Sequence, residues 1–209
     1  MWQFLLDFLF PRRSLSGEAG LWITDAERAQ LKSFPVVEHT DALRKRGLTS
    51  LDGVWAGSAY RDCPMLKKAI RTFKYGRVRL LSWELATVML AAVPPLEGAV
   101  LCPVPLHWTR RLERGFNQSD LLASLLSQKL SVPKRTLLRR AHATGHQAWR
   151  KRGERLTALQ DVFRVCGTSP KNVILVDDLA TTGATLDACA RALKEAGAER
   201  VYGWVIAHG

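Results

Sequence analysis

Apolar positions recur along this chain in two periods, and the switches between them mark out alternating strands and helices. GVWAGSAY (53–60) alternates in the manner of a strand. PMLKKAIRTFKYG (64–76) places Leu66, Ile70 and Phe73 on one side, with Pro at its start and Gly at its stop, and predicts a helix. A second helix is expected over 80–93. GAVLCPVPL (98–106) reads as a buried strand that ends at Pro103 and Pro105, which have no N–H to give a central ladder. An amphipathic helix follows over 117–130. The chain closes with strand NVILV (172–176), a loop, a helix over 185–196 stopped by Gly197, and strand RVYGWVIA (200–207).

Strands alternating with helices of this length predict an α/β fold, an open and mostly parallel sheet flanked by helices. Residues 11–52 show little periodicity beyond one short helix near 26–32. They divide the chain into a small irregular appendage (1–52) and a compact domain (53–209). Residues 134–155 break all periodicity and hold eight Lys or Arg against the single acid Glu154.

Length and charge narrow the partners. The 209 residues suffice for one full core, and 31 Lys and Arg against 19 Asp and Glu give a net charge of +12. That balance suits phosphate-bearing partners, whether nucleotide, nucleic acid or an acidic surface. Cys63, Cys102, Cys166 and Cys189 form no C-x-x-C pair, so reduced thiols in a cytoplasmic protein are expected and no metal site from cysteines. The apolar start MWQFLLDFLFPRR is interrupted by Asp7 and has no basic residue before it, unlike a signal segment. It is expected to pack as a helix on the protein's own body, with contact at a membrane surface as the alternative.

The sharpest chemistry lies in VILVDDLATTGAT (173–185). A buried strand ends on two acids, and the next residues are small, hydroxylated or glycine. Ligands of open α/β sheets bind beyond the carboxyl ends of the strands, where this segment falls. A loop of small residues followed by a helix N-terminus suits a phosphate. Thr181, Thr182 and Thr185 add hydroxyls, and Gly183 permits close approach or positive φ. Asp177 and Asp178 would repel that phosphate, so they are expected to hold a different part of the same ligand, such as the vicinal hydroxyls of a ribose. No G-K-[ST] is present, which excludes a Walker-type loop.

This stretch resembles the 5-phosphoribosyl 1-diphosphate (PRPP) motif of type I phosphoribosyltransferases, a hydrophobic run, two acids and a T-G-x-T loop. CPVPLHWTRRLERGFNQSDLLA (102–123) narrows the resemblance to the ComF competence family, which is similar to amidophosphoribosyltransferases. Arg140, Thr144 and Gln147 fall at that family's R-x-x-x-T-x-x-Q spacing. Ala158 stands where the family carries Asn. The family begins with a zinc ribbon, whereas this chain reads PRRSLSG. Ser14 and Ser16 replace thiolates, Trp22 and Asp25 occupy the next pair, and His39 with scattered acids makes no tetrahedral set. A decayed ribbon without zinc is expected.

The resemblance implies a type I phosphoribosyltransferase fold and PRPP with Mg²⁺ as ligands. It implies PRPP binding by Asp177, Asp178, Ala180, Thr181, Thr182, Gly183, Ala184 and Thr185, with Asp177, Asp178 and Arg114 in the catalytic roles. Arg114 belongs to the RGFNQ match; Arg110 and Arg111 read equally as a solvated helix face. Arg140, Arg150, Lys151 and Arg152 are candidates for a hood that closes on phosphates, the alternative being a basic loop with no catalytic part. The functions implied are glycosyl transfer in DNA uptake and natural competence or in nucleotide salvage. The alternative is non-catalytic PRPP sensing or single-stranded DNA binding. Partners to expect are PRPP, single-stranded DNA, and a competence helicase or membrane DNA-uptake proteins.

Overall fold

The computed structural model describes residues 13–75, 78–106, 108–140 and 163–209. The helix expected at the apolar N-terminus and the candidates Thr144, Gln147, Arg150, Lys151, Arg152 and Ala158 lie outside the described residues.

The chain runs through α1 (Asp25–Ala29), β1 (Val36–His39) and α2 (Thr40–Lys45) before β2 (Gly53–Ala59). It continues with α3 (Pro64–Tyr75), α4 (Leu81–Met89), β3 (Ala99–Pro103), α5 (Trp108–Arg114) and α6 (Gln118–Leu130). A short pair follows, β4 (Leu138–Arg140) and β5 (Phe163–Val165), then β6 (Asn172–Ala180), α7 (Ala184–Glu195) and β7 (Arg200–His208). Strands β1-β2-β7-β6-β3 form a five-stranded sheet in that order. All its pairings are parallel except β1 with β2. This is the α/β architecture expected of the sequence.

Helices cover both faces. On β6, Ile174 and Val176 pack with Leu66 and Phe73 of α3, Leu81 and Leu85 of α4 and Leu122 and Leu126 of α6. Val173 and Leu175 pack on the opposite side with Leu186, Cys189 and Leu193 of α7 and Leu43 of α2. A strand buried on both faces has no polar side to present, which is why NVILV is apolar without alternation. Each such side chain contributes about 1.5 to 3 kcal/mol through burial. On β2, a Cβ at Gly57 would stand 2.1 Å from the Val88 carbonyl oxygen, so the backbone of α4 rests directly on the strand and only glycine fits.

Several elements depart from the sequence pattern. The stretch 36–45, where little regularity is expected, supplies an edge strand and a helix. The VDD strand does not stop at residue 176: β6 stays paired with β7 through Asp177↔Val205 to Ala180↔His208.

The start of the chain is tied by a carboxylate. Glu27, buried, accepts hydrogen bonds from Ser14 Oγ at 2.9 Å, from the Thr24 N–H at 2.8 Å and from the Ser16 N–H. Thr24 caps α1 in return, accepting from the Glu27 N–H. Burial pushes the Glu27 carboxyl up, but the donors of Thr24, Ser16 and Ser14 outweigh it and lower its pKa to about 2. Of the other residues at the resemblance's ribbon positions, Trp22 packs against the core and Asp25 pairs with Arg28 on the surface.

Candidate ligand site at the carboxyl edge of the sheet

The parallel strands end along one edge, and β6 delivers Asp177 and Asp178 to it. Alternation along the strand sends the two carboxylates to different neighbours. Asp177 Oδ1 accepts from Ser119 Oγ at 2.8 Å and from the Asp178 N–H at 2.9 Å. Asp178 is buried and forms an ion pair with Lys74 Nζ at 2.7 Å, with Arg114 Nη1 at 3.9 Å from its other oxygen. Arg114 donates to Gln118 Oε1 at 3.2 Å and lies over the Tyr75 ring at 5.2 Å. The end of α3, the RGFNQ turn and the VDD strand therefore meet in one buried polar cluster. Within it, Arg114 Nε and Gln118 Nε2 are buried donors with no partner among the described residues.

This environment separates the acids. Burial, and then the charge of Asp178, push the Asp177 pKa up to about 7; the Ser119 and backbone hydrogen bonds and the Lys74 charge only partly oppose them.

Past Ala180 the chain turns through Thr181, Thr182 and Gly183 into α7. Gly183 has φ 77° and offers no side chain as an N-cap; the Ala184 N–H that opens α7 makes a long hydrogen bond, to Thr182 Oγ1 at 3.4 Å. Thr181, Thr182 and Thr185 are exposed, Ala184 is half-buried, and Ala180 and Gly183 are buried. The structure thus assembles every residue of the expected PRPP stretch along one continuous strand end, loop and helix start.

A cleft of about 590 Å³ opens beyond the end of β3, the strand paired with β6. Pro103 and Pro105 line it with Asn117, Thr136, Arg79, Arg139 and Arg140. Arg110 is close enough that its charge, after burial, holds the Arg140 guanidinium below the ordinary arginine value. None of the ion pairs of the described residues involves Arg79, Arg110, Arg139 or Arg140. Among the described lining residues the one acid, Asp120, is held by Lys134 at 2.8 Å. The cleft is therefore electropositive and suited to an anion.

Several site residues escaped the sequence pattern. Lys74 had a signal, since it falls four residues after Ile70 on the apolar side of α3, an unusual place for a charge unless it meets a partner. Ser119 and Gln118 were visible only as the continuation of RGFN. Arg79 had no local signal. Arg114 is placed beside Asp178, Arg140 in the cleft, and the Arg111 side chain lies outside what is described.

Comparison with known proteins agrees with this geometry. Residues 118–207 match the phosphoribosyl transferase domain family. Competence protein F of Haemophilus influenzae is 33% identical over 150 residues, 66% of each chain. Competence protein ComFC of Bacillus subtilis is 36% identical over 145 residues, covering 67% of this chain and 58% of that protein. DNA utilization protein YhgH of Escherichia coli is 30% identical over 152 residues, 68% of this chain and 67% of the other. The chain spans 66% and 58% of the lengths of the first two relatives, less than two thirds of either. Through its sheet, its domain match and its likeness to these relatives, the chain belongs to the ComF family, proteins with a type I phosphoribosyltransferase fold.

Proposed function

We propose that this protein binds PRPP at the carboxyl edge of its sheet and, with magnesium, transfers the phosphoribosyl group to an acceptor base in DNA uptake or nucleotide salvage. The observation that carries this reading is the combination of a small-residue loop at a helix start, two strand-end acids and an arginine cleft at the end of the neighbouring strand β3. The 5-phosphate suits 181–185, a loop at a helix start that carries three exposed threonines. The ribose diol suits Asp177 and Asp178, and the diphosphate suits the cleft of Arg79, Arg139 and Arg140. The relatives' names, competence and DNA utilization, support the cellular setting.

Transfer breaks the bond from ribose C1 to diphosphate through an oxocarbenium-like state, so the residues act by holding charge and position. Lys74 and Arg114 hold Asp178 in place, and Ser119 orients Asp177. The cleft arginines stabilise charge on the departing diphosphate. Among the described residues no three His, Cys, Asp or Glu gather to form a metal cage. Two carboxylates with phosphate oxygens and water do fit the donor set of Mg²⁺, with Asp177 and Asp178 as the protein donors. Bound magnesium would neutralise diphosphate charge.

The test is diphosphate release from PRPP and Mg²⁺ across a panel of purine and pyrimidine bases. Release that depends on one base, and is lost with Asp177→Asn, is the expected outcome. PRPP binding without release for any base would replace transfer with PRPP sensing.

A further inference from the structure

The back of the ligand loop rests on a segment outside the PRPP motif. Arg46, just after α2, donates from Nη2 to the Thr181 carbonyl at 3.1 Å. Its Nη1 donates to Glu38 Oε2 at 2.6 Å and lies 3.1 Å from His208 Nε2. His208 Nε2 is itself 3.1 Å from Glu38 Oε2. The guanidinium thus bridges β1, the end of β7 and the loop.

Neighbouring residues close the same wall. A Cβ on Gly183 would meet Leu48 Cδ1 at 2.7 Å, so the loop and this segment are in direct contact. Asp187, in the first turn of α7, accepts from the N–H groups of Ser50 at 2.7 Å and Leu51 at 3.0 Å instead of capping its own helix. Arg44 in turn donates to the Leu48 and Leu51 carbonyls at 2.5 and 3.1 Å.

The peptide between Thr181 and Thr182 is trans, as are all the described peptide bonds. In a planar trans peptide the C=O and N–H point in opposite directions. A guanidinium that fixes the Thr181 oxygen therefore fixes the Thr182 N–H on the side away from Arg46, where Thr181 and Thr182 are exposed. We propose that Arg46 is a positioning residue for the ligand loop, one that presets the Thr182 N–H for the 5-phosphate. Glu38 and His208 hold its fork in place. This rests on the reading that 181–185 takes the phosphate of PRPP.

Calorimetric titration of the full chain with ribose 5-phosphate, and separately with inorganic diphosphate and Mg²⁺, tests it. Arg46→Ala should weaken ribose 5-phosphate by about tenfold to a hundredfold, the scale of a charge-assisted hydrogen bond, and leave diphosphate within about twofold. Arg46→Lys, which keeps charge but not the fork, should fall between, as should Glu38→Gln, which serves if the alanine variant does not fold. Unchanged ribose 5-phosphate affinity in the variants, or equal loss of both ligands, would overturn the assignment while leaving the PRPP reading intact. A wild-type chain that binds no ribose 5-phosphate would remove both.

Discussion

Two carboxylates share the end of β6, and their surroundings divide them. Asp178 is neutralised by Lys74, whereas Asp177 has a raised pKa and no cation of its own among the described ion pairs. A group whose folded pKa lies at about 7 against an ordinary 3.8 binds more protons folded than unfolded between those values. Its contribution to stability therefore falls as pH rises through that window, and the full penalty is present above it. Asp177→Asn keeps an acceptor for Ser119 and removes the charge. It is expected to raise unfolding free energy by roughly 1 to 3 kcal/mol at pH 8, with the gain vanishing at pH 4. Urea unfolding at the two pH values measures this, and a variant no more stable than wild type at pH 8 would mean that Asp177 is not strained. A site residue that lowers stability is the usual cost of function.

At the scale of elements, α1 and the turn before it depend on Glu27. Its pKa of about 2 lies below the ordinary 4.5, so its contribution is fully present above 4.5 and is lost as pH falls toward 2. Glu27→Gln is expected to cost about 1 to 3 kcal/mol at pH 7 and little at pH 2.5. Calorimetric melting of both proteins at each pH checks it; an equal difference at both would assign the loss to packing. The elements differ in how far the chain announced them. The regular helices, the core of β6 and the small-residue loop after it are local patterns, periodicity and turn chemistry, and could be read directly. The extension of β6 past Val176 could not, because acids and small residues remain in a strand only where a partner strand accepts their backbone. The same holds for β1, four residues held by pairing with β2, and for β4 with β5, which meet across a long intervening segment. The Lys74–Asp178 pair joins residues far apart in the chain, and only the folded topology brings them together.

Over the whole molecule, the net charge of +12 is not spread evenly with respect to the site. Arg79, Arg110, Arg139 and Arg140 gather at one edge, with no ion pair to an acid among the described residues, a field that would draw a polyanion toward the strand-end acids. The segment 38–51, on the appendage side of the boundary that the sequence suggested, supports the loop from behind, so the ligand edge draws on both parts of the chain. The central claim is that this edge is built for PRPP. Its most direct measurement is a calorimetric titration of PRPP with Mg²⁺ into wild type and into the Asp177→Asn, Asp178→Asn double variant, with melting curves as the control for folding. Wild type should bind at a single site, and the double variant should bind about a hundredfold more weakly or worse, having lost charge-assisted hydrogen bonds to the diol, while remaining folded. Equal affinity in the two proteins, or no binding by wild type, would contradict it.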